Sequence, residues 1–234
     1  MKRMKAILVL TAAIAFGLAP FLSPGFNGFE AGQFPVPQEN PPVQPAGYAF
    51  GIWGVIYLWL LAGALYGLLM RADDGSWDVA RWPLFVSLTV GAAWLPVAQI
   101  SVPWATVLIW VMLLSALAAL FLAGREKRLW QQGPVGLYAG WLTAASSVSI
   151  GLVLAGYGVM SAQAAAIVGL LLALVLAAAV LGIRRDAPAY AFGVIWALAG
   201  VAVANAQPVN ALILGLSVTG AVLIGLQAWR TRRP

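Results

Sequence analysis

The sequence predicts an all-α, polytopic membrane bundle of eight transmembrane helices, and three observations carry that prediction. Apolar residues make up 62% of the 234 residues and charged residues only 9%. The mean hydropathy of +0.92 is far above that of a soluble domain. The charges fall between long apolar runs, each long enough to cross a hydrocarbon core of about 30 Å as a helix. These runs are continuous and lack the alternating segments of about ten residues that mark a membrane β-strand.

The first run, 6–23, follows the basic start Lys2, Arg3, Lys5. The second, 48–70, leaves a proline-rich stretch at Pro45 and stops at Arg71; the third, 82–100, begins after Arg81. The fourth, 104–123, follows Pro103 and ends before Arg125, Lys127 and Arg128. The fifth, 134–157, opens on Pro134, and the sixth, 162–183, is closed by Arg184 and Arg185. The seventh, 187–204, lies between Asp186 and Asn205, and the eighth, 208–229, runs from Pro208 to Trp229 before Arg230. The first run also has the basic start and short apolar core of a signal peptide, but the small-residue cleavage pattern is poor around Gly17 to Pro20. We therefore expect it to be retained as a span.

All thirteen basic residues sit at alternate junctions, while 24–47, 101–103, 158–161 and 205–207 carry none. Basic residues near span ends stay on the cytoplasmic side, so both termini are expected there, in a bacterial cytoplasmic membrane. The net charge of +6 is absorbed by this segregation, and no nucleic-acid partner is implied. The tail Trp229, Arg230, Arg232, Arg233 suits anionic lipid head groups.

Missing residue types narrow the chemistry. With no Cys and no His, thiolate catalysis, disulfides, His-Cys metal sites and His-ligated haem are excluded. The carboxylates Glu30, Glu39, Asp73, Asp74, Asp78, Glu126 and Asp186 fall outside the predicted spans, which argues against ion-coupled transport. Asp73, Asp74 and Asp78 lack a recognisable oxygen-ligand spacing and are expected to form a solvated charged loop. No acid-base or nucleophilic constellation is visible, so no enzyme activity, catalytic residue, metal site or obligatory cofactor is expected. Gln99, Thr143, Ser146, Ser147, Ser149, Gln163, Asn205, Gln207 and Asn210 serve either as hydrogen bonds between helices or as the lining of a route for a neutral solute.

Of eleven tryptophans, Trp77, Trp82, Trp104, Trp130 and Trp229 lie at predicted span ends, where indole rings collect. Trp53, Trp59, Trp94, Trp110, Trp141 and Trp196 lie deeper. Phe50, Trp53 and Tyr57 are three and four residues apart and share one helix face, forming either a ligand-facing ladder or core packing. Gly47 with Gly51, Gly63 with Gly67, and Gly136 with Gly140 are small-residue spacings that admit a second backbone, the last as a route to a homodimer. The loop 24–47, with Pro24, Pro35, Pro37, Pro41, Pro42 and Pro45 and the rings Phe26, Phe29 and Phe34, should be extended and stiff, as a lid or as a connector. Tyr190-Ala191-Phe192-Gly193 repeats Tyr48-Ala49-Phe50-Gly51 in the opposite direction; inverted repeats occur in carriers, but four residues in so Ala-rich a chain read better as coincidence.

The pattern Pro45, Gly47, Tyr48, Phe50, Gly51, Trp53, Tyr57, Gly63 resembles the second-helix signature of the TspO/MBR family, the tryptophan-rich sensory or translocator proteins. Trp94, Trp110, Pro134, Tyr138 and Trp141 follow in the order of that family's other aromatic landmarks. The chain departs from the pattern at Gly91 and Ser149, where the family usually has Asn, and in its first loop, FPVPQENPPVQP. The resemblance covers about 6–157, which implies a five-helix core (1–157) with 24–47 as its lid, extended by three helices and a basic tail (158–234). It further implies a pocket for a flat hydrophobic ligand, a porphyrin-type tetrapyrrole or a sterol-like compound, lined by Tyr48, Phe50, Trp53, Tyr57, Trp94, Trp110, Tyr138 and Trp141. A sensor or regulator is the leading function. A carrier of a small neutral or amphipathic molecule, or a structural subunit of a larger membrane complex, are the alternatives.

Overall fold

The computed structural model describes residues 1–23, 26–124 and 128–230. Among them are eight α-helices: α1 (Lys2–Leu22), α2 (Ile52–Met70), α3 (Gly75–Ile100), α4 (Val102–Leu122), α5 (Gln132–Gly156), α6 (Ala162–Ile183), α7 (Pro188–Ala204) and α8 (Ala211–Arg230), with short 3-10 turns at Ala31–Gln33 and Gly47–Gly51. Seven helices are long and apolar enough to cross a membrane, and α7 is a shorter apolar helix. Its 17 residues span about 25 Å. The chain is thus an integral membrane protein built as a polytopic helical bundle. Pro24, Arg125, Glu126, Lys127, Arg232 and Arg233, which entered the charge and loop readings above, lie outside the described residues.

Polar caps set several boundaries. The Asp74 carboxylate accepts from the Ser76 backbone N–H at 2.9 Å and from the Ser76 hydroxyl at 2.7 Å. Those two bonds hold its carboxyl below the usual carboxylate range. Ser101 caps α4 and Ser161 caps α6 in the same manner. With that cap at Asp74, α3 begins at Gly75, seven residues before the expected start, and tolerates Pro83 and Pro96 inside it.

The longer α3 corrects the reading of the acidic cluster. Asp78 is not in a solvated loop but in the first turn of α3, 2.7 Å from Lys5 Nζ and 3.4 Å from Arg81. The buried Arg81 guanidinium also donates to the carbonyls of Lys2, Ala72 and Arg71. This network ties α1 to α3 at the basic end. Asp78→Asn should cost roughly 1.5 kcal/mol, the scale of a hydrogen bond to a charged group. The check is thermal unfolding in detergent of Asp78→Asn, Lys5→Met and the double variant; strictly additive losses would show that the two residues do not interact.

Helix α5 is the axis of the bundle, buried along nearly its whole length and packed against α4, α6 and α7. Small residues make the α5–α7 crossing close. A Cβ on Gly193 would lie 2.7 Å from the Leu137 carbonyl oxygen and 2.8 Å from the Trp141 nitrogen, and one on Gly140 would strike the Tyr190 carbonyl oxygen. The Gly136 and Gly140 spacing therefore serves this internal crossing, which corrects its reading as a dimer surface. Gly63 and Gly67 likewise meet Trp130 and Trp77, whereas Gly47 and Gly51 approach nothing within 4 Å. Trp77, expected at an interface, is buried.

The polar residues of the spans mostly act between and within helices. The Thr143 hydroxyl donates to the Ala139 carbonyl and meets the Tyr190 hydroxyl at 2.9 Å, while Ser146 donates to the Ile109 carbonyl of α4. Gln163 of α6 and Asn210 exchange two side-chain bonds. Tyr190 is buried, but Tyr48, its counterpart in the repeated tetrapeptide, is 52% exposed. Equivalent residues thus occupy unlike settings, as expected of a coincidental match.

Candidate functional site

The first loop is fastened across one end of the bundle. Gln33 Nε2 donates to the Ala98 carbonyl at the end of α3, and the Val36 backbone N–H donates to the Gly156 carbonyl of α5. The Ala46 N–H donates to the Gly200 carbonyl of α7, and Asn205 Nδ2 reaches the Pro42 carbonyl at 2.8 Å. Phe34 is buried against Gly156. With its proline-rich backbone, this segment is a fixed cover over α3, α5 and α7 rather than a loose connector.

Beneath the cover lies a cavity of about 50 Å³ that adjoins a roomier chamber of about 380 Å³ bounded by α1, α2 and α3. The cavity's wall is drawn from the loop (Phe26, Phe29, Gln44), the 3-10 turn Gly47–Gly51 (Phe50), α2 (Trp53), α3 (Trp94), α4 (Ile109), α5 (Trp141, Ser149), α6 (Gly169, Ala173) and α7 (Ala197, Val201). The aromatic residues meet mainly edge to face. Phe50 and Trp141 ring centroids are 5.8 Å apart, Trp53 and Trp141 6.1 Å, and Phe26 and Trp94 4.9 Å. Such rings present both faces and edges to an apolar guest. Trp94 Nε1 is fixed by donating to the Ala105 carbonyl at 2.8 Å. The Trp141 side chain is 2% exposed, and its buried N–H has no hydrogen-bond partner among the described residues.

The eight candidate residues divide by position. Phe50, Trp53, Trp94 and Trp141 converge on this cavity. Tyr57 stacks on Trp53 with centroids 5.5 Å apart and lines an adjoining chamber. Tyr138 is fully buried one layer behind, bonded to the Ser87 hydroxyl at 3.0 Å and packed against Phe16 and Trp53. Tyr48 and Trp110 lie farther from the cavity. Tyr48 lies in the 3-10 turn Gly47–Gly51, which precedes α2 where a continuous helix from residue 48 was expected, and its ring meets Trp196 of α7. Trp110 is half-buried among core side chains of α4 and lines neither chamber.

Sequence reasoning missed the contribution of α6 and α7, since the expected pocket was enclosed by the first five helices. The signal was present but quiet. Ala166, Gly169, Leu170, Ala173 and Ala177 recur at helical spacing and form the buried face of α6, yet small aliphatic residues make no motif. Side chains on both sides of residue 157 thus share one cavity.

A family model described as TSPO-like protein matches residues 5–229, so the similarity extends through all eight helices rather than ending at residue 157. No curated protein and no solved structure matches the chain.

Proposed function

The chain belongs to the TSPO-like family, and on that premise we propose that it is a membrane ligand-binding sensor or regulator. Its guest is a flat hydrophobic molecule, a porphyrin-type tetrapyrrole or a sterol-like compound, taken into the cavity under the first loop together with the chamber that adjoins it. One observation carries this reading: Phe50 of the 3-10 turn, Trp53 of α2, Trp94 of α3 and Trp141 of α5 face one apolar cavity beneath a fastened cover. A concave, mostly apolar site with few polar groups is the usual form of a small-molecule pocket. The basic end, with Lys5, Arg81 and Arg184, is read as cytoplasmic in a bacterial inner membrane, which turns the loop to the other side. Binding rather than catalysis is the role we assign, without an obligatory cofactor.

The test is titration of the purified protein with a porphyrin while intrinsic tryptophan fluorescence is followed. The expected result is saturable quenching that weakens in Trp141→Ala. Linear quenching, equal in both proteins, would discard specific binding. A second reading, a carrier for a neutral or amphipathic molecule, draws on the presence of two adjoining chambers. Uptake of the bound molecule into proteoliposomes would favour it, and binding without uptake would leave the sensor. Stoichiometric copurification with a pigment or redox complex, with no binding by the isolated chain, would instead mark a structural subunit.

A further inference from the structure

A separate recess lies on the flank where α2 and α7 both pack on α5 but scarcely touch each other. Its volume is about 240 Å³, and its wall includes Trp59 of α2, Arg128 and Leu129 of the α4–α5 connection, Gly133 of α5, and Pro188 and Ala189 of α7. No residue of this wall lines the ligand cavity or its adjoining chamber. The recess is firmly built. A Cβ on Gly133 would lie 2.5 Å from the Trp59 ring, so the indole packs directly on the start of α5, and its Nε1 donates to the Leu129 carbonyl at 2.8 Å.

From the recess an apolar furrow runs toward the loop end of the bundle. Val55 stands four residues from Trp59 on α2, and Phe192 four residues from Trp196 on α7, so each pair shares a helix face. Val55 and Phe192 are both exposed. The furrow closes where the Tyr48 ring meets Trp196 edge to face, with centroids 5.9 Å apart. From Trp59 back to Tyr48 is about 16 Å of helix, close to the ~15 Å of hydrocarbon in one leaflet.

Charge stands only at the other end. The Arg128 side chain is 58% exposed, with its apolar stem against the recess and its Nη2 3.8 Å from the Asp186 carboxylate. The buried Arg184 holds the same carboxylate, with its Nε 3.2 Å from the other oxygen. Two guanidiniums against one carboxylate leave the mouth of the recess net positive.

We infer that this flank binds one anionic phospholipid, with its phosphate at Arg128 and an acyl chain along the furrow. Basic pockets between membrane helices take such head groups, and an apolar furrow one leaflet deep supplies the seat for the chain. A zwitterionic lipid carries a cation of its own beside the phosphate, which cancels the attraction, so phosphatidylglycerol is selected over phosphatidylcholine.

The test counts lipids retained by the full chain in detergent, by native mass spectrometry, after incubation with phosphatidylglycerol or with phosphatidylcholine of the same acyl chains. One phosphatidylglycerol should be retained in preference to phosphatidylcholine. Arg128→Gln and Leu129→Glu should each weaken that retention roughly fivefold or more. Leu129 is 60% exposed, so the second variant reverses the charge at the mouth without disturbing the core. Arg185→Gln is the control: Arg185 is exposed at the same end, donates to the Gly182 carbonyl and lies outside the recess wall, so this variant should retain the lipid. Equal retention of the two lipids overturns the anionic site, and an equal loss in Arg185→Gln replaces it with diffuse surface charge. Displacement of the lipid by inorganic phosphate at matched ionic strength would make it a free-anion site and overturn the lipid as its occupant.

Discussion

Gly193→Val is expected to cause a large loss of stability. At this point α7 crosses α5 with a backbone atom where a side chain would sit. A Cβ at Gly193 would lie 2.7 Å from the Leu137 carbonyl oxygen, 2.8 Å from the Trp141 nitrogen and 3.1 Å from the Gly140 carbonyl carbon. All three are main-chain atoms of a buried helix, so no rotamer change relieves the clash and the two helices must separate. Overpacking of this kind costs up to about 3 kcal/mol, which in a chain of this size lowers the unfolding midpoint by roughly 6–12 °C. The same separation draws Ala197 and Val201 away from Trp141, so ligand affinity should fall with stability. Gly215→Val on α8, where a Cβ meets nothing within 4 Å, makes the same chemical change without the crossing. Melting curves for both variants in detergent decide the matter, and equal midpoints would show that the α5–α7 approach does not limit stability.

The second large effect is expected from Trp53→Ala. Trp53 lines both the cavity and the adjoining chamber and touches Phe16, Tyr57, Tyr138 and Trp141 through its ring. Being half-buried and in contact with empty space, its indole offers apolar area to a ligand that truncation removes. Loss of that area and of ring stacking amounts to about 2 kcal/mol of binding, or roughly a 30-fold weaker dissociation constant. Trp110→Ala removes the same ring from a residue that lines neither chamber, and it should leave affinity near that of the unsubstituted protein. Porphyrin titrations of both variants separate a ligand contact from a general aromatic packing effect. Equal weakening by the two substitutions would assign Trp53 to packing.

Much of this was legible before the structure, because a membrane makes sequence signals strong. Backbone polar groups in hydrocarbon have to be satisfied within a helix, so each long apolar run announced its own secondary structure. All the helices but α5 start or end at a proline, a serine cap or a charge visible in the sequence. The second-helix ladder was also readable, since residues three and four apart must share a face; Phe50, Trp53 and Tyr57 do line one or other chamber. The exceptions are informative. Tyr48, expected in the lining, instead meets Trp196 of α7 from the 3-10 turn that precedes α2. Asp78 looked like loop because charge is a poor mark of helix ends when a lysine from α1 and an arginine one turn on in the same helix neutralise it.

The amino-acid sequence by itself determined that this is an integral membrane helical bundle of the TSPO-like kind, with its charges at span ends and an aromatic second helix. Those properties follow from local composition and from periodicity along one chain segment. Only the tertiary structure decided which rings meet, that α6 and α7 help to wall the cavity, that Gly136 and Gly140 of α5 are consumed by α7, and that a second chamber adjoins the cavity. Each of these depends on distances between helices far apart in sequence. In a chain where nearly every span residue is apolar, hydrophobicity no longer distinguishes inside from outside. Close packing of small against large side chains makes that distinction instead.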